Sequence, residues 1–154
     1  MRQFEDIDRQ KKKERIKLGD NPANLTTDVL QRLEAAVKGS LKDGYIPCPT
    51  GWKIAKDMGI PKMAVGAMMD RLGVRVTDCQ IGFFRVDKTP YEGVKKEEPS
   101  DEVVKRLKEL EEAGELNCTA VFALAHSLRT TPMTISEAAN VLGMKIRGCQ
   151  LGCF

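Results

Sequence analysis

Leu142-Gly143-Met144-Lys145-Ile146-Arg147-Gly148-Cys149-Gln150-Leu151-Gly152-Cys153-Phe154 restates, at an offset of seventy residues, the run Leu72-Gly73-Val74-Arg75-Val76-Thr77-Asp78-Cys79-Gln80-Ile81-Gly82-Phe83-Phe84. Carried backwards at the same offset, the alignment also pairs Gly44 with Gly114, Cys48 with Cys118, Ala55 with Ala125 and Met63 with Met133. That makes ten identities over the 43 gap-free positions 42–84. An internal repeat sets the architecture before any local propensity is weighed. Two copies at so long a period predict two similar small domains rather than a solenoid. Each is of a size whose core is marginal unless the copies also pack on each other or on a second chain.

The 154 residues carry a formal net charge of +3, unevenly spread. Positions 42–90 hold eight Lys/Arg against five Asp/Glu, whereas 112–154 hold three of each. The first repeat is therefore basic and the second neutral, a balance that permits contact with phosphate backbones without demanding it. No apolar run is long enough to span a membrane, and the N-terminus is charged from Arg2 onward. The expectation is a cytoplasmic protein. Its five cysteines, an odd number in a reducing compartment, read as thiols rather than as a disulfide framework.

Taken in order, 1–23 reads as a charged tail around Lys11-Lys12-Lys13, solvated in the first reading and a phosphate-binding arm in the second. Thr26 or Thr27 caps a helix with Asp28 in its first turn, its apolar stripe is Val29, Leu30, Leu33, Ala36, Val37 and Leu41, and Gly44 closes it. Tyr45-Ile46 is a short extended piece held between Pro47 and Pro49. A second helix runs from about Gly51 to Met58, a third from Lys62 to Leu72. Val74-Arg75-Val76 and residues 81–86 alternate like the strands of a hairpin. Residues 87–99 are the linker. Ser100 then caps a helix with Val103, Val104, Leu107 and Leu110 on its apolar face, and the order repeats: Leu116 extended, helices over 120–128 and 132–142, a hairpin over 144–154. Thr131 is the N-cap of the last helix, with Pro132 at its first position. The fold class is thus mostly α with small β-hairpins, in two domains, 24–86 and 100–154.

Ala55, Gly59 and Val65 have the spacing of a tight helix-turn-helix: a small residue at the crossing, a glycine at the turn and an apolar residue facing the core. Ala125 and Ile135 keep the pattern in the second repeat, with Arg129 in place of the glycine. Through Ile54-Ala55, Val65-Gly66, Leu72-Gly73 and Cys79-Gln80-Ile81-Gly82 the chain resembles the winged helix-turn-helix superfamily, nearest in look to the DNA-binding domain of molybdate-responsive transcriptional regulators. The resemblance spans Thr26–Arg85 and Ser100–Phe154. It implies two tandem winged helices, each with a third helix that enters the major groove and a wing that touches the backbone. Carried over by position, the nucleic-acid-binding set is Lys53, Lys62, Ala64, Gly66, Ala67, Arg71, Arg75 and Arg85, with Lys145 and Arg147 in the second wing. The third helix of the second repeat offers Met133, Thr134, Ser136, Glu137, Asn140 and Val141 and no cation. The first domain is therefore expected to lead in contacting double-stranded DNA, and the second to serve a homodimer or a protein partner.

Cys48 and Cys79 correspond to Cys118 and Cys149. Buried thiols are the first reading; four thiolates holding zinc or an iron–sulfur cluster are the second, although no C-x-x-C is present. Gln80 and Gln150 read as amides that close a turn onto the backbone. Trp52 and Phe122, at equivalent positions, read as core, and the single histidine, His126, as a surface residue. No nucleophile has a histidine and acid to serve it and no glycine-rich phosphate loop occurs, so no enzyme is expected. The leading expectation is a non-enzymatic DNA-binding transcriptional regulator. The alternative is a protein-interaction or accessory module, for metalloenzyme maturation or thiol-ligated metal sensing, on a winged-helix scaffold that has lost DNA binding.

Overall fold

Thr26 opens the first helix as expected: its hydroxyl accepts from the Val29 amide at 3.4 Å, and α1 runs Thr27–Gly39. The structure, a computed structural model, describes residues 19–83 and 98–153. The N-terminal tail to residue 18, most of the linker, and Phe84, Arg85 and Phe154 lie outside them. Helix α1 ends at Gly39 rather than reaching Gly44, because Lys42 and Tyr45 exchange both backbone hydrogen bonds (2.9 Å each) across Asp43-Gly44. Both central residues have positive φ, 51° and 80°, the two-residue turn for which Asp-Gly is the usual sequence.

From that turn the chain enters β1 (Tyr45–Pro47), α2 (Cys48–Met58) and α3 (Lys62–Arg71), then β2 (Arg75–Thr77). The second copy supplies α4 (Asp101–Glu112), α5 (Cys118–Ser127) and α6 (Pro132–Val141). Ser100 and Thr131 cap α4 and α6 through the amides of Val103 (3.4 Å) and Thr134 (3.1 Å), both as read from sequence. Helices α2 and α5 begin at Cys48 and Cys118, a little before the expected starts, on the backbone of Pro47 and the side chain of Asn117.

The strand expectation needs correction. β2 pairs in parallel with β1, Tyr45 opposite Arg75, Ile46 opposite Val76 and Pro47 opposite Thr77; of its expected hairpin partner, residues 81–86, the last three lie outside the described residues. Residues 81–83 form a turn. In the second copy a single parallel bridge, Asn117 with Arg147, stands at the equivalent place. Among the described residues neither repeat forms the hairpin that a wing requires. What stands is a mostly helical chain with a small two-stranded sheet.

The repeat is real at the level of packing. From Cys48 to Met63 and from Cys118 to Met133 the sequence of buried, half-buried and exposed residues is the same, position by position. By contacts the chain groups into two compact units, one of them discontinuous in sequence. Unit 1 consists of Met1–Cys79 together with Gln150–Phe154; unit 2 is Gln80–Cys149. The segment that ends the second repeat is part of unit 1, and Gln80-Ile81-Gly82, which ends the first, is part of unit 2. The expected domains, 24–86 and 100–154, differ from this grouping by contacts in the segments that close each repeat.

In unit 1, α1 packs on α2 and α3, and α2 on α3. Leu33 and Val37 of α1 are fully buried with Ile46, Val65, Met68, Met69 and Leu151. In unit 2, α4 and α5 both pack on α6, around Leu107, Val121 and Ile135. No helix among the described residues is long and apolar enough to cross a membrane.

Candidate functional site

Two glycines decide the surface of unit 1 that matters most. Gly51 is buried in the first turn of α2 and Gly66 in the middle of α3, and Leu151 fills the gap they leave. A Cβ on Gly66 would lie 1.8 Å from the Leu151 carbonyl oxygen, a collision with main chain that no rotamer change relieves. A Cβ on Gly51 would meet Leu151 Cδ1 at 3.2 Å and the Met69 methyl at 3.7 Å. Leu151 is 0 % exposed, and Gly152 after it is buried. The helices approach closely enough to hold a segment of backbone because neither has a side chain at its point of contact.

Beside this apolar slot stands a polar one. The Lys62 ammonium lies 3.5 Å from the centroid of the Trp52 ring and donates to Gln150 Oε1 at 2.5 Å. A cation held over an aromatic face and directed at an amide oxygen is a charge-assisted contact with a defined partner. Trp52 is half-buried under that cation instead of lying wholly in the core, and the Gln150 amide is engaged 88 residues away along the chain. Sequence reading did not find this arrangement. Its signals were present: a glycine inside a helix, which costs about 1 kcal/mol relative to alanine and so marks a close approach, and a Gln-Leu/Ile-Gly motif occurring twice.

The expected nucleic-acid-binding residues are not brought together as an open face. Ala64 and Ala67 are each 4 % exposed and Gly66 is buried, so the positions of α3 expected to read the groove are covered. Lys53 is exposed but ion-paired with Asp57. Lys62 is engaged as described. The Arg71 guanidinium meets Glu34 of α1 at 2.9 Å, on the far side of which Lys38 lies at 2.7 Å. Hydrogen bonding from Lys38, and then its charge, hold the Glu34 carboxyl below the usual carboxylate range, with Arg71 adding to the effect. Arg75 is half-buried on β2, and Arg85 lies outside the described residues. Lys145 and Arg147 are exposed in unit 2. On α6, Thr134, Glu137, Asn140 and Val141 face solvent, the positions that α3 buries or half-buries up to Asp70.

The repeated cysteines occupy one place in each unit. Cys48 and Cys79 follow the paired ends of β1 and β2, and the Cys118 amide donates to the Gly148 carbonyl, next to Cys149, at 3.2 Å. All four are at most 9 % exposed, Cys153 is half-buried, and none of the five is bridged. Among the described residues no three His, Cys, Asp or Glu side chains gather as a metal-binding group. His126 is exposed on α5, as read. An open groove lies between the start of α1 and the α2–α3 turn, lined by Leu25, Val29, Arg32, Asp57, Met58 and Ile60. No family model, curated protein or solved structure matches the chain.

Proposed function

We propose that the protein is a non-enzymatic protein-interaction module on a helix-turn-helix scaffold whose third helix is not available to a DNA duplex. One observation carries the reading: Ala64, Gly66 and Ala67, the positions that would face base edges, are buried, and Gly66 has the Leu151 main chain lying on it. Sequence is read by side chains that hydrogen-bond at base edges, and a covered helix presents none. The phosphate-positioning cations fare no better, since Lys53 and Arg71 are ion-paired and Lys62 is committed to Trp52 and Gln150. The open helix of unit 2 offers Glu137 and no cation at the corresponding positions. What the scaffold does carry is a built site for a short turn segment, with an apolar seat and a directed polar contact. That is the equipment of a module that recognises protein.

The test is a titration of random duplex DNA across ionic strength. With Lys145 and Arg147 as the remaining exposed candidates, the slope of log affinity against log salt should be no steeper than about −2, at roughly 0.9 per phosphate neutralised. Binding at physiological salt should be no tighter than the non-specific range, about 10⁻⁶ to 10⁻⁴ M. A slope of about −5 or steeper, reduced by replacing Lys62 and Arg71 with alanine, would overturn the proposal and restore the DNA-binding regulator.

A further inference from the structure

The geometry points to a site that works in trans: we propose that the slot between α2 and α3 of unit 1 accepts its Gln-Leu-Gly segment from a second copy of this chain as well as from its own. The inference rests on the interaction-module reading and names the partner. The slot recognises two features at once. Leu151 enters the gap left by Gly51 and Gly66, and Gln150 receives the Lys62 ammonium at 2.5 Å. Neither contact depends on the chain joining them, because the segment begins 71 residues after Cys79, the last residue of the main stretch of unit 1. The repeat sharpens the point. Gln80-Ile81-Gly82 follows Cys79 directly and carries the same motif, yet it belongs to unit 2. The slot of unit 1 is thus completed by a segment from elsewhere in the sequence, and a second copy presents that segment in identical form. Exchange of an identical element between copies is a low-cost route to association.

The second repeat does not carry the residues of this slot, which fixes the pairing. At the positions of Gly51, Lys62 and Gly66 the second repeat has Val121, Pro132 and Ser136. The unit 2 position therefore has no counterpart to the Lys62 cation and more side-chain volume at both close approaches, and Gln150-Leu151 belongs to unit 1. In the intact chain the resident segment competes from within the same molecule, so exchange is masked until one slot or one segment is impaired.

Two full-length variants expose it. Gly66→Ala blocks the slot and keeps the segment; Leu151→Ala keeps the slot and spoils the segment. Mixed in equal amounts under reducing conditions and followed by sedimentation, they should give a one-to-one heterodimer that neither forms alone. A mixture that sediments only as the separate variants overturns the proposal. The second arm needs one variant: a synthetic peptide of residues 147–154 titrated into Leu151→Ala, against a scrambled peptide. Saturable one-to-one uptake is expected, weakened about tenfold or more by adding Lys62→Ala, from loss of a charged hydrogen bond. If Leu151→Ala is unfolded by itself, recovery of its helical circular dichroism with the peptide is the expected result. Uptake no different from that of the scrambled peptide overturns the proposal. Failure in both arms, with duplex binding still weak, removes the second copy and leaves the interaction module; steep salt-dependent duplex binding removes the module itself.

Discussion

Gly66 shows how one residue type supports two opposite readings. A small residue on the third helix of a helix-turn-helix is compatible with a close DNA backbone, and equally with a close protein backbone. Sequence alone does not say which, because the distinction lies in a partner segment some eighty residues away. The sign of a substitution does say. Alanine in a helix interior is favoured over glycine by about 1 kcal/mol. Against that, a Cβ 1.8 Å from the Leu151 carbonyl oxygen forces main chain to move, and overpacking of this kind costs about 1–3 kcal/mol and occasionally more. Gly66→Ala should therefore destabilise the full chain by about 1–2 kcal/mol in a denaturant titration. Arg129 is the converse case. It has φ 52° at the α5–α6 turn, where the first repeat uses Gly59 with φ 64°. An L-residue in that region is strained by about 1–2 kcal/mol, part of which glycine returns as unfolded-state entropy. Arg129→Gly should raise stability by about 1 kcal/mol, seen as a higher midpoint with an unchanged denaturant slope. That strain was legible from the alignment, since the Ala-x₃-Gly spacing of one copy lacks its glycine in the other.

Helices were the elements that sequence disclosed best, and strands the worst. Thr26, Ser100 and Thr131 each cap as their residue type and the following apolar period require. Three-residue strands carry no such information. Val74-Arg75-Val76 alternates in the same way whether its neighbour is Ile81 onward or Tyr45-Ile46-Pro47, and the parallel pairing with β1 is decided by where the helices place those ends. The shorter α1 was in principle readable from Asp43-Gly44, a two-residue turn signal that the helical period obscured. Between elements, Glu34 links α1 to α3 through Arg71. Its carboxyl is held below the ordinary value of 4.5, so the folded state favours the charged form. The stability it contributes is complete above the unfolded pKa and is lost as pH falls through the lowered folded pKa. Between wild type and Glu34→Gln, the stability difference should shrink on acidification below about pH 4.5, the ordinary value. A difference that grows there would place the interaction elsewhere.

At the scale of the whole molecule, a period of seventy announces two units and is blind to which unit each segment completes. An offset alignment compares the copies with each other; it contains nothing about Leu151 lying on Gly51 and Gly66. That membership separates the present account from one of two consecutive domains, and it is open to direct test. Removing residues 150–154 takes a fully buried leucine out of unit 1, which should cost about 3 kcal/mol by comparison with Leu→Ala changes in cores. Hydrogen-exchange protection should fall in α2 and α3. The decisive measurement joins this truncation to Gly66→Ala and reads the effect of the substitution by equilibrium unfolding in both chains. In the full chain it should be destabilising by about 1–2 kcal/mol; in residues 1–149, with nothing lying on Gly66, helix propensity alone remains and the same substitution should be neutral or stabilising by up to about 1 kcal/mol. The same loss in both chains would mean that Leu151 does not occupy the slot, and the account of unit 1, with the interaction site built on it, would be wrong.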